Sequence, residues 1–443
     1  MKKTLVKYPF LTEPVEVWER ENGHKIVLAR KSGEMVNVST WVKTGSINED
    51  DKNNGISHFL EHLMFKGTSK HKAGEFDRIL EAKGAIVNAA TWKDYTFYYV
   101  TLPKGAENKD LNLAIELHAD MMLDPVLPYD EIGAPFDLND KNITQKRERH
   151  VVIEEIRMRK DQNWTKIYNA CNFNMYTKHP YKRDVIGTPQ IISQVTREDI
   201  MDYYKTFYTP ENMTTIIVGD FDTDEILKKV ELEFDFMGRE NSEKKVFEPD
   251  TPIAEKKVVE TSAEVNTSYF MYGWLGPKAN DLKSTICLDI ISIIFGDGTS
   301  SRLYQNLVEK QPEPIFNYIS SEHYQFKDGD NFFVQANCRA DKKDFAIELV
   351  EKELANLTNL PISEEELEKA KKKIKSRFAG AAETVSAIGE TIGYYMTVCE
   401  DLTQVEQYLP SLESITIQDL NGIITKYLRL ENSVLSVLVP EKK

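Results

Sequence analysis

The sequence predicts an α+β fold built from two homologous αβ domains, each an antiparallel sheet flanked by helices. Three observations predict it. The chain has 443 residues, too many for one ordinary hydrophobic core. A helix–turn–strand segment occurs twice. A strand–helix segment also occurs twice, earlier in each half.

The first repeat pairs "VTREDIMDYYKTFYTPENMTTIIV" from Val195 with "ITIQDLNGIITKYLRLENSVLSVLV" from Ile415. At constant offset Thr196 matches Thr416, Asp199 matches Asp419, Phe207 matches Tyr427, and Glu211-Asn212 matches Glu431-Asn432. Each copy reads as a capped helix, a short turn at Glu-Asn and a strand of apolar residues. The second repeat pairs "MVNVSTWVKTG" from Met35 with "TSYFMYGWLG" from Thr267. Both are alternating strands that end in Trp and then Gly. Each precedes an apolar helix, "ISHFLEHLMF" in one half and "STICLDIISIIF" in the other. Duplication accounts for both pairs, with domains of about 220 residues each. The expected division is a first domain at 1–237, a polar linker at 238–258 and a second domain at 259–443. Strands and helices come in runs, which suits α+β better than regular βαβ winding. The run "SEEELEKAKKKIKSRF" from Ser363 opens with a capping box and carries dense mixed charge, as on a solvated helix face.

Composition narrows the function classes. A formal net charge of -15 is the opposite of the basic patch that nucleic-acid binding requires. No run approaches 18 apolar residues, so no membrane span is predicted. The start "MKKTLVKYPF" is cut by Lys7 and Pro9 before a signal-peptide apolar region develops. Cys171, Cys287, Cys338 and Cys399 are far apart and form no C-x-x-C pair. They read as buried thiols in a reducing compartment, and the expected location is the cytoplasm.

The chemistry concentrates at His58-Phe59-Leu60-Glu61-His62. Residues four apart on a helix share a face, so His58 and His62 point at one place. Neutral imidazoles at that spacing suit Zn²⁺. Glu61 sits beside that face, where it can take a proton from an attacking water. This is the His-Glu-x-x-His protease motif in reverse order, the inverzincin pattern. The flanking Phe59, Leu60, Leu63 and Met64 place the helix in a core, where unpartnered polar groups are costly. The internal repeat provides a control. Aligning Phe65 with Phe295 sets Leu288, Ile291 and Ser292 opposite His58, Glu61 and His62. The fold itself therefore does not require the motif. His24, His71, His118, His150, His179 and His323 have no partner at helical spacing and are expected in solvated or capping roles.

A catalytic zinc takes a third protein ligand. "RERHVVIEEIRMRKD" from Arg147 has helical spacing, with Val151, Val152 and Ile156 as its apolar face. Glu148 and Glu155 border that face. Glu154 lies about 100° round from Glu155, and spacing alone does not choose between the two.

With "HFLEHLMFKGT", "GAIVNAATWKDYTFYYV", "ERHVVIEEI" and "GDGTSSRLYQNLVEK", the chain resembles the pitrilysin–insulysin–mitochondrial processing peptidase family over nearly its whole length. The resemblance implies a zinc metallopeptidase whose third ligand is Glu155, with Glu148 supporting the site. It implies a clam-like pairing of halves around unfolded oligopeptides or targeting peptides. It also implies that Asn88 and Ala89 contact the backbone of a substrate added to their strand edge. The stretch from Tyr129 to Lys146 is longer than the family's usual connection. One element is missing. The family's substrate-holding Arg and Tyr fall on Val308 and Asn317, with Arg302 and Tyr318 nearby but out of place. The expected active form is a heterodimer with a homologous chain that supplies the pair, or otherwise a homodimer. The alternative on the same fold is a non-catalytic assembly subunit, which an intact His-x-x-Glu-His opposes.

Overall fold

The computed structural model describes residues 1–140, 147–236, 239–240 and 245–441. Most of the linker is described, but part of it, and part of the long stretch after Tyr129, lies outside these residues.

Two sheets form. The first has seven strands, β1 (Lys2–Val6), β2 (Val15–Glu19), β3 (Lys25–Arg30), β4 (Met35–Val42), β5 (Ile86–Thr91), β6 (Thr96–Pro103) and β7 (Met213–Gly219). Their order is β1-β2-β3-β7-β4-β6-β5. The second has β8 (Lys257–Ala263), β9 (Thr267–Leu275), β10 (Phe316–Tyr324), β11 (Asn331–Arg339) and β12 (Val434–Pro440), in the order β10-β11-β9-β12-β8. All neighbours are antiparallel except β3 with β7 and β8 with β12. The sequence repeats map onto matching places, β4 with β9 and β7 with β12. The helices Arg197–Phe207 and Ile417–Tyr427 both start with reciprocal capping boxes, Thr196 with Asp199 and Thr416 with Asp419. The capping box at Ser363 and Glu366 also forms.

The chain does not divide at one boundary. The first compact unit comprises Met1–Arg157, Asp184–Val246 and Ala379–Glu406. The second comprises Met158–Arg183, Phe247–Phe378 and Gln407–Lys443. Against the contiguous division at 1–237 and 259–443, each half thus lends a helical segment to the other half's sheet. Helix Val385–Thr397 packs on β4 and β7 of the first unit. It approaches so closely that a Cβ on Gly393 would lie 2.0 Å from the Trp41 ring. Helix Asn163–Met175 packs on β9 and β12 of the second unit, and a Cβ on Gly273 would meet the Met175 sulfur at 2.4 Å. Helical periodicity shows that a segment has an apolar face, not which sheet that face covers.

Three of the six isolated histidines are buried, His24, His118 and His179, and the side chain of His323 is only 2% exposed; for His24, His118 and His323 this is contrary to the solvated or capping roles expected. Only His179 also caps, accepting from the Tyr181 amide. In the first unit, His24 Nε2 meets Thr215 Oγ1 at 3.0 Å and His118 Nε2 meets Thr40 Oγ1 at 3.0 Å, with the two threonines 3.3 Å apart. Burial lowers both imidazoles to about 3, against about 6.5 in an unfolded chain. Between those values the unfolded chain binds protons that the native core refuses, so stability must fall as pH drops from about 6.5. Glutamine at 118 can still bond Thr40 and does not titrate. Unfolding free energies from denaturant titrations at pH 7.5 down to 5 should therefore fall less steeply for His118→Gln than for the parent, by up to about 1.4 kcal/mol per pH unit. Identical pH dependence in both proteins would mean that His118 protonates without unfolding.

Candidate metal centre

The site helix, Ile56–Met64, begins at Gly55, whose φ of 98° suits glycine. A Cβ there would lie 2.6 Å from the Ile186 carbonyl oxygen. The buried Glu49 carboxylate closes the helix start, accepting from the Gly55 and Ser57 amides at 2.7 and 2.9 Å and from Asn54 Nδ2 at 2.7 Å. A carboxylate there satisfies orphan N–H groups and faces the positive helix end. Ile56, Phe59, Leu60, Leu63 and Met64 are buried in the first unit's core. That packing turns His58, Glu61 and His62 to one side.

The opposing helix, Glu148–Asp161, supplies the carboxylates. Its buried positions are Arg149, Val152, Ile153 and Ile156, one stripe at helical spacing. The expected apolar face is corrected by one residue: Val151 is half exposed and Ile153 takes its place. Arg149 has no exposure. Its guanidinium donates to the carbonyls of Gly133, Ala134, Ser193 and Val195, anchoring the helix start against two loops. With that stripe inward, Glu155 turns toward the histidines. Glu154 turns away and pairs with Arg157 at 2.5 Å.

His58 Nε2 is 3.7 Å and His62 Nε2 is 3.4 Å from Glu155 Oε2. One donor atom from each residue lies within 4.8 Å of the other two, and no other such trio occurs among the described residues. Ligands at usual zinc distances stand roughly 3.3 Å apart around a tetrahedral ion, so the donor set and its spacing fit zinc. His62 Nδ1 meets Glu148 Oε1 at 2.9 Å. A carboxylate can only accept, so Nδ1 carries the hydrogen, and Nε2, which faces Glu155, is the nitrogen that would give up its proton to a metal. Burial alone would depress His62, but hydrogen bonds to Glu148 and Glu155 outweigh it and hold the imidazole at about 9. Carboxylates gathered this closely favour a cation at this place.

Glu61 lies beside the trio. Burial raises its carboxyl, and the Thr91 hydroxyl, donating to Oε2 at 2.5 Å, partly offsets that. A raised carboxyl suits a group that must take and return a proton near neutral pH. Thr91 is the site residue that the sequence reasoning missed. The signal was strand alternation, which puts Val87, Ala89 and Thr91 on one face of β5. Asn88 and Ala89 lie on β5, the edge strand, opposite Tyr99 and Tyr98 of β6. Asn88 is exposed and its Oδ1 accepts from the Ala89 amide at 2.9 Å. In the second unit, Leu288 and Ile291 are fully buried and Ser292 bonds the Ser321 carbonyl, so the three matching positions pack without the His-Glu-His donors. Arg302 there is held by Glu366 through two nitrogens, at 2.6 and 2.8 Å.

A sheet-and-helix unit with a reversed zinc-protease motif defines the class as metallopeptidase-like. The description "Insulinase (Peptidase family M16)" matches residues 25–189, and "Peptidase M16 inactive domain" matches 194–374. The three candidate ligands and Glu61 all fall in the first match. The chain is 29% identical over 434 residues to "Zinc protease PqqE" of Helicobacter pylori, covering 95% of this chain and 91% of the relative. It is 25% identical over 421 residues to "Uncharacterized zinc protease YmxG" of Bacillus subtilis, covering 95% and 97%. A solved protease from Helicobacter pylori superposes with a TM-score of 0.85 at 26% identity, covering 99% of this chain and all of that one. The chain belongs to peptidase family M16, and the relatives named here carry the name zinc protease. No helix among the described residues is long and apolar enough to cross a membrane.

Proposed function

We propose that this protein is a zinc-dependent endopeptidase acting on unfolded oligopeptides or targeting peptides in the cytoplasm. The observation that carries the reading is the convergence of His58, His62 and Glu155 from two helices, with Glu61 beside them. His58, His62 and Glu155 would hold Zn²⁺. Bound zinc supplies a Lewis acid that polarises a carbonyl and lowers the pKa of water to about 7. Glu61 takes the proton from the attacking water and returns it to the leaving amine. Thr91 donates to the Glu61 carboxylate and holds it beside the trio. Glu148 orients His62. The open edge of β5 can accept an extended peptide by strand addition, with Asn88 and Ala89 against its backbone.

The chain's own second half supports a heterodimer. Val308 has no donor, Asn317 bonds Asn337 at 2.8 Å, and the nearby Arg302 is committed to Glu366. We infer that a homologous chain lacking the zinc motif supplies the substrate-holding Arg and Tyr. The test is to purify this chain, load it with zinc and assay a mixture of unstructured peptides, with and without a co-encoded homologue. About one zinc per chain and turnover that rises with the homologue are expected. Full turnover by the chain alone would remove the heterodimer. A chain that binds no zinc would remove the peptidase reading.

A further inference from the structure

Both oxygens of the Glu148 carboxylate are occupied. Oε1 accepts from His62 Nδ1 at 2.9 Å, and Oε2 lies 2.5 Å from Lys66 Nζ. Lys66 stands just past the site helix, on backbone that is itself held. Its amide donates to the Leu63 carbonyl at 3.0 Å, closing the last turn. The next residue, Gly67, turns the chain at a φ of 98°. The Glu148 amide in turn donates to Glu131 Oε2 at 3.0 Å. The carboxylate is therefore fixed at its backbone and at both oxygens.

Most surface ion pairs contribute little. This one is different in kind, because its carboxylate also orients a candidate metal ligand and is itself mostly buried, at 12% exposure. We propose that Lys66 is a positioning residue for the metal centre: it locks the Glu148 carboxylate, which locks the His62 ring with Nε2 toward the metal. The proposal rests on the zinc reading of the site.

Its sign separates it from simple charge. A lysine near a dication repels it, so deleting the charge alone would tighten zinc binding. Loss of positioning weakens it. Lys66→Met should raise the zinc dissociation constant about 10-fold, the lower end of the range for groups that orient a ligand. Lys66→Arg should recover most of the loss. In a Glu148→Gln background, Lys66→Met should bring no further loss of affinity, because the carboxylate through which it positions His62 is gone and only the charge effect remains. With cobalt in place of zinc, the visible absorption of Lys66→Met should differ from the parent only while Glu148 is present. Unchanged or tighter zinc binding in Lys66→Met would overturn the proposal. So would an equal loss in both backgrounds, which would make Lys66 a general stabiliser. Failure of the parent protein to bind zinc or cobalt would overturn the zinc reading itself, and is seen before any variant is made.

Discussion

Replacing Glu61 with glutamine is expected to reduce peptide hydrolysis by about 10²–10⁴-fold, the usual worth of a positioned general base. Zinc content should stay at that of the parent. Glutamine keeps the volume of the side chain and can still accept from Thr91, so the site helix has no reason to move. What it lacks is a group able to take the proton from water. No donor atom of the trio belongs to Glu61, so binding and chemistry separate cleanly. The measurement pairs metal content with kcat/KM on an unstructured peptide. Near-normal turnover by Glu61→Gln would sink the assigned mechanism, whatever the metal content.

Glu155→Gln is expected to show the reverse pattern, a large loss of zinc and with it of activity. An amide oxygen is a much poorer zinc donor than a carboxylate, and Glu155 is the only carboxylate in the trio. The neighbouring Glu154→Gln is the control. Glu154 is paired with Arg157 and points away from the histidines, so that change should leave zinc affinity near the parent's. Glu148→Gln should fall between them, losing about 10–100-fold, because it orients His62 without holding the metal. Titration with a competing chelator reads all three. Equal losses from the 154 and 155 changes would show that the helix face is misassigned.

The contrast between Glu154 and Glu155 shows where sequence reasoning stops. Their identity and spacing were visible, and family resemblance pointed to Glu155. The physical decision is made by the neighbours. Arg149, Val152, Ile153 and Ile156 take the inward stripe, and that rotation of the helix leaves Glu155 facing the site. An arginine among the inward residues is not predictable from periodicity, because its burial depends on carbonyls from two separate loops. The isolated histidines make the same point. His24 and His118 look alike in sequence to the partly exposed His71 and His150. They are buried because threonines on β4 and β7 meet them.

What the amino-acid sequence determined by itself was local or repeated. The capping boxes at Thr196 and Thr416 involve residues three apart, and the strands alternate residue by residue. The His58–His62 pair needs only one turn of helix, and the absence of that pair from the second copy is read directly by alignment. The tertiary structure decided whatever joins distant segments. It placed Glu148 against His62 across 86 positions and Thr91 against Glu61 across 30. It sent helix Val385–Thr397 to the first sheet and helix Asn163–Met175 to the second. The physical reason is common to all of these. Hydrogen bonding and side-chain period act along the chain and leave their mark on neighbouring residues. Which apolar faces bury each other, and which polar groups meet as they do, depends on shape complementarity between surfaces that exist only after folding.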